Sequence, residues 1–504
     1  MTGKTIIIIG SGVGGLSTGI YGQMNGYQTT ILEQHTIPGG LLTAWQRKGY
    51  LIDLCIHWLA GSGPGLFLNG YMNEVGLLQQ REFLPHDRYG VYIAKDGRRV
   101  NFYCDPDRLE QHLLELAPED APVIHELADG VRLGIRFQSP EKEQYEAGTL
   151  RWMRFIFSMM PIVGQMQKWS KLTVGELAGR FRSPLLRDAL LHLFEPDFSV
   201  FYMILSQMGF MYKHQAAYPL GGSLPLATTL EKRYKQLGGR VQYRAKVEKI
   251  LVEDRRAVGV RLVNGSEQRA DVVVSAADGY TTIFKMLDGK FAGKKIREQY
   301  ATWQPFRPVM YVGAGVNRTF PDYPYSVEGN AFQLPHPVVM AGEEHKILPI
   351  RIRNEDPAFA PAGKTVLTSA IYTRYDFWKA LECDRAAYEA EKEKVAAAYI
   401  AALEQIWPGI AAQVEMIDIS TPLTFERYTG NLQGSITGWK LTPKQATTAI
   451  PRTLPGLDAF WMVGHWVYPG GGVPAGVTTG REVIWKQCRK DGKTFITLSQ
   501  LIAE

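Results

Sequence analysis

From Thr5 to Ile9 the chain is apolar and β-branched without alternation, the pattern of a parallel strand buried on both faces. The turn GSGVGG follows, with Gly10, Gly12 and Gly15 in G-x-G-x-x-G spacing and Gly14 beside the last. Beyond it the pattern predicts a helix running to about Asn25 and ended by Gly26, then a second strand over Gln28 to Leu32 that leads to Glu33. Pro225 to Leu237 reads as a helix stopped by Gly238 and Gly239. The stretch GGRVQYRAKVEKILVEDRRAVGVRLVNG, with a strand over Arg244 to Ile250, alternates apolar and polar residues around turns and predicts an antiparallel meander. A hairpin is expected around Asp96 and Gly97, a helical block over about 106–215, and a closing helix over about Val477 to Cys488.

Strand, glycine turn, helix, strand and terminal acid in this order make a nucleotide site. Gly10 permits the tight turn, Gly12 lets the backbone approach a pyrophosphate, and Gly15 lets the helix pack on the strand. The helix points its first amides at the phosphates. Glu33 accepts hydrogen bonds from ribose hydroxyls, which favours FAD or NAD over a 2′-phosphorylated nucleotide. Gly19 and Gly22 weaken the first helix by roughly 1 kcal/mol each relative to alanine, so room for close packing is their expected role.

With 504 residues the chain is too long for one core, and two or three packed domains are expected. Hydrophobic content of 45% and charged content of 21% set aside disorder and fibrous classes. A net charge of +6 permits attraction to an anionic membrane or acidic partner without requiring it, and no basic run or motif points to nucleic acid. Cys55, Cys104, Cys383 and Cys488 are far apart, so neither a zinc site nor a disulfide framework is expected, and a reducing cytoplasm is the default. The N-terminal TGKTIIIIG reads as a strand rather than a signal peptide. No apolar run is clean enough to span a bilayer; the nearest, Phe198 to Tyr212, is broken by Ser206, Gln207 and Gly209. The expectation is a soluble or peripherally attached protein.

Three further stretches carry a family signal. They are IPGGLLTAWQRKGYLIDLCIHWLAG, then AYPLGGSLPLATTLEKRYKQLGGRVQYRAKVEKI with ADVVVSAAD, and near the end GLDAFWMVGHWVYPGGGVPAGVTTGREVIWKQ. In this order they resemble the phytoene desaturase-like flavoproteins (carotenoid desaturases, carotene isomerases and retinol saturases) of the amine-oxidase superfamily. The resemblance covers roughly half of the chain. It implies an α/β fold: a discontinuous, glutathione-reductase-like Rossmann domain for FAD over about 1–75, 216–290 and 421–504. An α+β substrate domain is interleaved over 76–215 and 291–420, including an apolar helical segment at 150–171.

The resemblance also assigns residues. Gly39 and Gly40 belong to a loop near the flavin diphosphate and ribityl chain, and the Val247 backbone meets the adenine. Gly464 with Gly471, Gly472, Val473, Pro474 and Ala475 forms a C-terminal flavin clamp, whose following helix aims its amides at the isoalloxazine. Two positions depart from the family: Leu41 stands where many relatives have Arg, and His465 where an acid is common. Arg47 or Lys48 is the candidate substitute for the missing Arg. His465 either takes up the ribityl contact or caps its loop.

In the segment RWMRFIFSMMPIVGQMQKWSK, aromatic and methionine residues lie between Arg151, Arg154, Lys168 and Lys171, with Pro161 breaking the run. This suits a monotopic membrane helix or the mouth of a lipid tunnel; the alternative is an ordinary core helix pair. No hydrolase triad, HExxH or Walker loop appears. GAGVNR at Gly313 to Arg318 lacks the third glycine, and GSGPG at Gly61 has the wrong context, so no dedicated NAD(P)H site is expected. The reading is hydride transfer between flavin N5 and a long apolar, polyunsaturated substrate, with quinone, oxygen or another carrier as electron partner. Candidates for handling the paired proton are Asp53, His57 and Tyr428, each with a structural hydrogen bond as the alternative role. A flavin-dependent isomerase or hydratase, and an amine-oxidase-type enzyme with an aromatic cage, are the competing functions.

Overall fold

A computed structural model describes residues 3–137, 144–468, 470–498 and 500. Its centre is a parallel five-stranded sheet in the order Arg240–Gln242, Gln28–Leu32, Thr5–Ile9, Val272–Ser275, Phe460–Met462. The unbroken apolar run in the first strand serves both faces. Ile6 and Ile8 pack into the core shared with helices Val13–Met24, Ser223–Gln236 and Gly472–Lys490, while Ile7 and Ile9 pack towards the antiparallel meander Val247–Glu253, Arg256–Leu262, Glu267–Arg269. The expected strand at Arg244 to Ile250 begins three residues later, because Arg244 adopts a left-handed backbone, φ 56°.

The first and last helices lie directly against each other. A Cβ on Gly476 would come within 2.7 Å of Val13 Cγ1, and one on Gly480 within 2.8 Å of the Thr18 amide nitrogen. Gly19 and Gly22 are similarly crowded: their Cβ atoms would lie 2.7 Å from the Tyr234 ring and 2.6 Å from Thr29 Cγ2. These glycines keep three helices and the sheet in close contact.

A second, mixed sheet of seven strands runs Val414–Ser420, Val309–Val316, Thr365–Tyr372, Glu343–Arg353, Asn330–Met340, Arg88–Ile93, Arg99–Tyr103. The last two strands form the expected hairpin, turning at Gly97 with φ 87°. Helix Arg385–Ile406 covers one side through Val395, Tyr399 and Leu403. On the other side lies the hairpin Ala44–Arg47, Tyr50–Asp53, whose Ile52 and Tyr50 fill the space left by Gly313 and Gly315. The GAGV sequence is therefore buried strand with two packing notches, not a nucleotide turn.

The helical block has its own core, built from Leu127, Val131, Leu186, Phe201 and Met208 among others. Within it, helix Gln144–Lys171 continues through Pro161 and holds a non-helical residue at Gly148. Pro161 therefore does not break the helix where the sequence suggested. Met159 and Trp169 turn inward, whereas Leu150, Phe157 and Met160 are 66%, 67% and 60% exposed. Among the described residues no helix is long and apolar enough to cross a membrane.

Candidate functional site

A cleft of about 850 Å³ opens at the carboxyl ends of the parallel strands. Gly10, Gly12, Val13 and Gly14 form one wall, the loop Gly39, Gly40, Leu41 and Leu42 a second, and Val463, Gly464, His465, Gly472 and Val473 a third. Glu33, Gln34 and Val247 line it further along. The glycine turn and the second loop are tied directly: Gly39 donates its amide to the Ser11 carbonyl at 2.9 Å, and Gly12 and Gly39 pair as a parallel bridge.

Glu33 is buried and does more than terminate its strand. Its Oε2 accepts from the Ser11 amide at 2.7 Å and the Ser11 hydroxyl at 2.8 Å, and Oε1 accepts from the His35 amide at 2.7 Å. It thus fixes the shape of the glycine turn as well as facing the cleft. Opposite, helix Gly472–Lys490 begins five residues earlier than the sequence suggested, so its first turn is part of the wall. Thr479 on this helix accepts the Gly464 amide at 2.8 Å, fixing the end of the last parallel strand.

The family model for flavin containing amine oxidoreductase matches residues 13–483. The chain belongs to that family. Among its relatives, a chloroplastic prolycopene isomerase of Arabidopsis thaliana is 25% identical over 94% of this chain and 81% of its own length. A neurosporene-forming phytoene desaturase of Rhodobacter capsulatus is 24% identical over 95% of this chain and 92% of its own. An oxidoreductase structure from Methanosarcina mazei superposes with a TM-score of 0.60 at 17% identity, covering 95% of this chain and 99% of that one, which speaks for the fold.

As a member of this family the chain is an FAD-dependent oxidoreductase, and its cleft suits the cofactor. The volume lies in the range of small-molecule sites, and bare glycine backbone on three walls lets a planar, phosphate-bearing ligand approach closely. Two buried polar atoms on the lining residues, Thr437 Oγ1 and His465 Nε2, have no partner among the described residues. Burial pulls His465 down to about 4, so this imidazole is neutral where an acid would have been charged.

Several assigned residues stand back from the cleft. Gly15 does not line it; a Cβ there would collide with the Gly10 carbonyl, so its role is helix packing. Pro474 and Ala475 lie behind the lining Val473. Leu41 lines the wall, but Arg47 bonds Asp418 at 2.9 Å and Lys48 bonds the Glu415 carbonyl at 3.1 Å, so neither substitutes for an Arg at position 41.

The three proton-handling candidates are not brought together. Asp53 is fully buried and accepts from the Ser223 amide at 2.5 Å, the Ser223 hydroxyl at 2.6 Å and the Cys55 amide at 3.1 Å. That geometry anchors the start of helix Ser223–Gln236. Tyr428 lines the cleft beside Gln34 and His35, its ring edge-on to His35 at 4.8 Å and its carbonyl bonded by Gln34 at 2.7 Å. It therefore sits beside the two residues that follow Glu33. His57 is partly buried behind Cys55, with Nε2 3.3 Å from Arg351 Nη2.

Sequence reasoning missed Asp278, Cys55 and Thr437, all of which line the cleft. Asp278 follows the strand Val272–Ser275 and accepts from the Thr281 amide at 2.6 Å and the Leu432 amide at 3.0 Å; burial pushes it up to about 6. Its position three residues past a parallel strand was the available signal. Burial and the neighbouring Asp53 push the Cys55 thiol up to about 12, so it stays protonated.

Proposed function

We propose that this chain changes the hydrogen content of carbon–carbon bonds in a long, apolar, polyunsaturated isoprenoid or related lipid. The reading is carried by full-length similarity to a phytoene desaturase and a prolycopene isomerase, together with a cleft whose three walls suit one FAD. FAD when bound supplies two-electron hydride chemistry. The chain supplies position: Gly10, Gly12 and Gly14 with Gly39 and Gly40 take the diphosphate, Glu33 the ribose, Val247 the adenine, and Gly464, His465, Gly472 and Val473 the ring end. Conjugation spreads charge along a polyene, so orientation and water exclusion are the main demands on the protein.

An isomerase or hydratase on the same substrate class is the second reading, favoured by the similarity to prolycopene isomerase. Anaerobic incubation of holoenzyme with polyenes, read by mass spectrometry, decides. Products differing by two hydrogens, with flavin bleaching or recolouring, support the redox reading. Unchanged mass supports isomerisation, and added water supports hydration. Amine-dependent peroxide release with inert polyenes would overturn both.

We infer further that the exposed face of helix Gln144–Lys171 rests on an anionic lipid surface. Leu150, Met153, Phe157 and Met160 follow helical spacing on one side, with Arg151 and Arg154 interspersed among them; Lys168, more than two turns further on, is paired with Glu126 at 2.7 Å. A lipid-borne substrate and a quinone acceptor would then share that surface. Co-sedimentation with anionic liposomes at low salt tests it: binding lost in Phe157→Glu is expected, and no binding by the wild type sinks the idea.

A further inference from the structure

At the Glu33 end of the cleft, positive charge gathers that its surroundings do not cancel. Lys246 immediately precedes the meander strand Val247–Glu253, Lys285 sits in the helical turn Thr281–Met286, and Arg427 lies near the end of helix Pro422–Thr429. All three line the cleft and all are exposed. Separate segments bring them together. The Ala245 amide donates to the Glu33 carbonyl at 2.8 Å and the Arg244 amide to the His35 carbonyl at 3.1 Å, which sets Lys246 beside Glu33 and the residues after it. Gln34 donates to the Tyr428 carbonyl at 2.7 Å, which brings Arg427 to the same place, its guanidinium 4.8 Å from the Tyr428 ring centre. Thr281 Oγ1 donates to the Gly430 carbonyl at 3.2 Å and ties the turn carrying Lys285 to that helix end.

The other charges of the cleft are matched or buried. Lys249 pairs with Asp288 and Arg385 with Glu389. Glu248 pairs with Arg261 at 3.4 Å, Glu382 with Lys379 at 2.8 Å, and Glu426 accepts from Tyr375 at 2.7 Å. Glu33 and Asp278 are 6% and 1% exposed and are held on backbone amides. Lys246, Lys285 and Arg427 form no ion pair among the described residues, and Lys285 acts on Asp278 only through space. A positive, solvent-facing rim therefore accompanies a negative interior.

This arrangement bears on how an anion enters. The diphosphate of FAD is doubly anionic, and on its way to the glycine turn it passes buried carboxylates that salt screens poorly. Exposed cations at the mouth of a low-dielectric cleft offset that repulsion, focus the field and raise the rate of capture. Rim charges of this kind act on association more than on the stability of the finished complex.

We propose that Lys246, Lys285 and Arg427 form an encounter site for the diphosphate of FAD, which captures the cofactor electrostatically before it settles on the glycine turn. The inference rests on the placement of the diphosphate at Gly10, Gly12 and Gly14 given above. The seated diphosphate leaves the rim behind, so these side chains govern its arrival and not its retention.

The test compares wild-type holoenzyme with the triple variant Lys246→Gln, Lys285→Gln, Arg427→Gln. The release rate of FAD and its dissociation constant from equilibrium dialysis together give the association rate without preparing apoprotein. At low salt the triple variant is expected to load FAD about tenfold more slowly, within the range that steering supplies, with release within about twofold of wild type. At about 1 M salt the difference should vanish, the screening length having shrunk to about 3 Å. A second triple variant, Lys95→Gln, Lys346→Gln, Lys394→Gln, removes the same charge from exposed positions outside the cleft and should load at the wild-type rate. Among single variants, Arg427→Lys should match the wild type, whereas Arg427→Gln should slow loading about twofold. Equal slowing by the two triple variants, a wild-type loading rate indifferent to salt, or a defect confined to release overturns the proposal. Gly12→Ala tests the diphosphate placement separately. Only the Gly39 carbonyl oxygen, at 3.9 Å, stands near the added Cβ, which therefore intrudes on the cleft and should speed release while the salt dependence of loading persists. Unchanged release in Gly12→Ala would sink that placement even if the rim steers.

Discussion

Gly480→Ala isolates the contact between the two ends of the chain. Gly480 does not line the cofactor cleft, so any effect on FAD must travel through helix packing. The added Cβ would lie 2.8 Å from the Thr18 amide nitrogen, 3.0 Å from Thr18 Oγ1 and 3.1 Å from Ser17 Cβ. The nearest of these is backbone within a helix and cannot swing aside, so the helices must separate by a few tenths of an ångström. Overpacking of this kind costs about 1–3 kcal/mol, against a gain of about 1 kcal/mol from replacing a helical glycine. The neighbouring Thr479 holds the Gly464 amide at 2.8 Å, so displacement also loosens the ring end of the cleft. Losing that bond and the associated alignment should raise the FAD dissociation constant about tenfold, equivalent to about 1.4 kcal/mol. Gly70→Ala is the control: it lies in helix Phe67–Glu74, nothing stands within 4 Å of its Cβ, and it should stabilise by up to about 1 kcal/mol. Titration of apoprotein with FAD and denaturant melts with and without FAD measure both variants. If Gly480→Ala behaves like Gly70→Ala in stability and FAD affinity, the helix contact does not hold the clamp.

Other substitutions probe separate links. Glu33→Gln replaces a carboxylate that accepts three donors with an amide that turns a donor towards one of them; charged hydrogen bonds contribute about 1.5–3 kcal/mol each, so FAD affinity should fall about 100-fold or more, measured by flavin fluorescence on titration. Burial lowers His86 from its ordinary value to about 4. Its folded value lies below its unfolded one, so the stability it contributes is present above pH 6.5 and is lost as pH falls towards 4, about 3 kcal/mol at most. Urea melts between pH 7.5 and 4.5 should show this acid limb, and His86→Gln should lessen it, leaving the share of the equally lowered His465. Asp53→Asn should lower stability by about 1–3 kcal/mol through the start of helix Ser223–Gln236 while turnover per bound flavin stays unchanged; a selective loss of turnover would restore Asp53 to the chemistry.

The nucleotide half was legible because its signals are local. An unbroken Ile run, three spaced glycines and an acid closing the next strand each follow from backbone demands that few residue types meet, and they lie in a short stretch of chain. The glycine turn, Glu33 and the clamp residues Gly464 and Gly472 accordingly meet in one cleft. What sequence spacing could not supply was which neighbour satisfies a polar side chain. Asp53 and His57 stand four residues apart in IDLCIHW, but on the strand Tyr50–Asp53 and the turn after it Asp53 bonds Ser223 and His57 stands against Arg351, while the buried Arg353 faces both, and all three partners are remote in sequence.

The same reasoning applies to the neighbours of Tyr428. In sequence it lies closer to His465 than to Glu33, and the segment ERYTGNLQGS suggested the ring side of the flavin. Helix Pro422–Thr429 ends at Gly430, whose left-handed backbone (φ 73°) turns the chain back. This leaves Tyr428 against Gln34 and His35, while the return segment carries Thr437 to the clamp. The residue that reaches Gly471 and His465 is therefore Thr437, nine positions later, whose hydroxyl has no partner among the described residues, beside a neutral His465. Thr437 and His465 are both uncharged there, whereas the carboxylates of the same cleft, Asp278 among them, stand on other segments, an arrangement invisible until the turn at Gly430 is known.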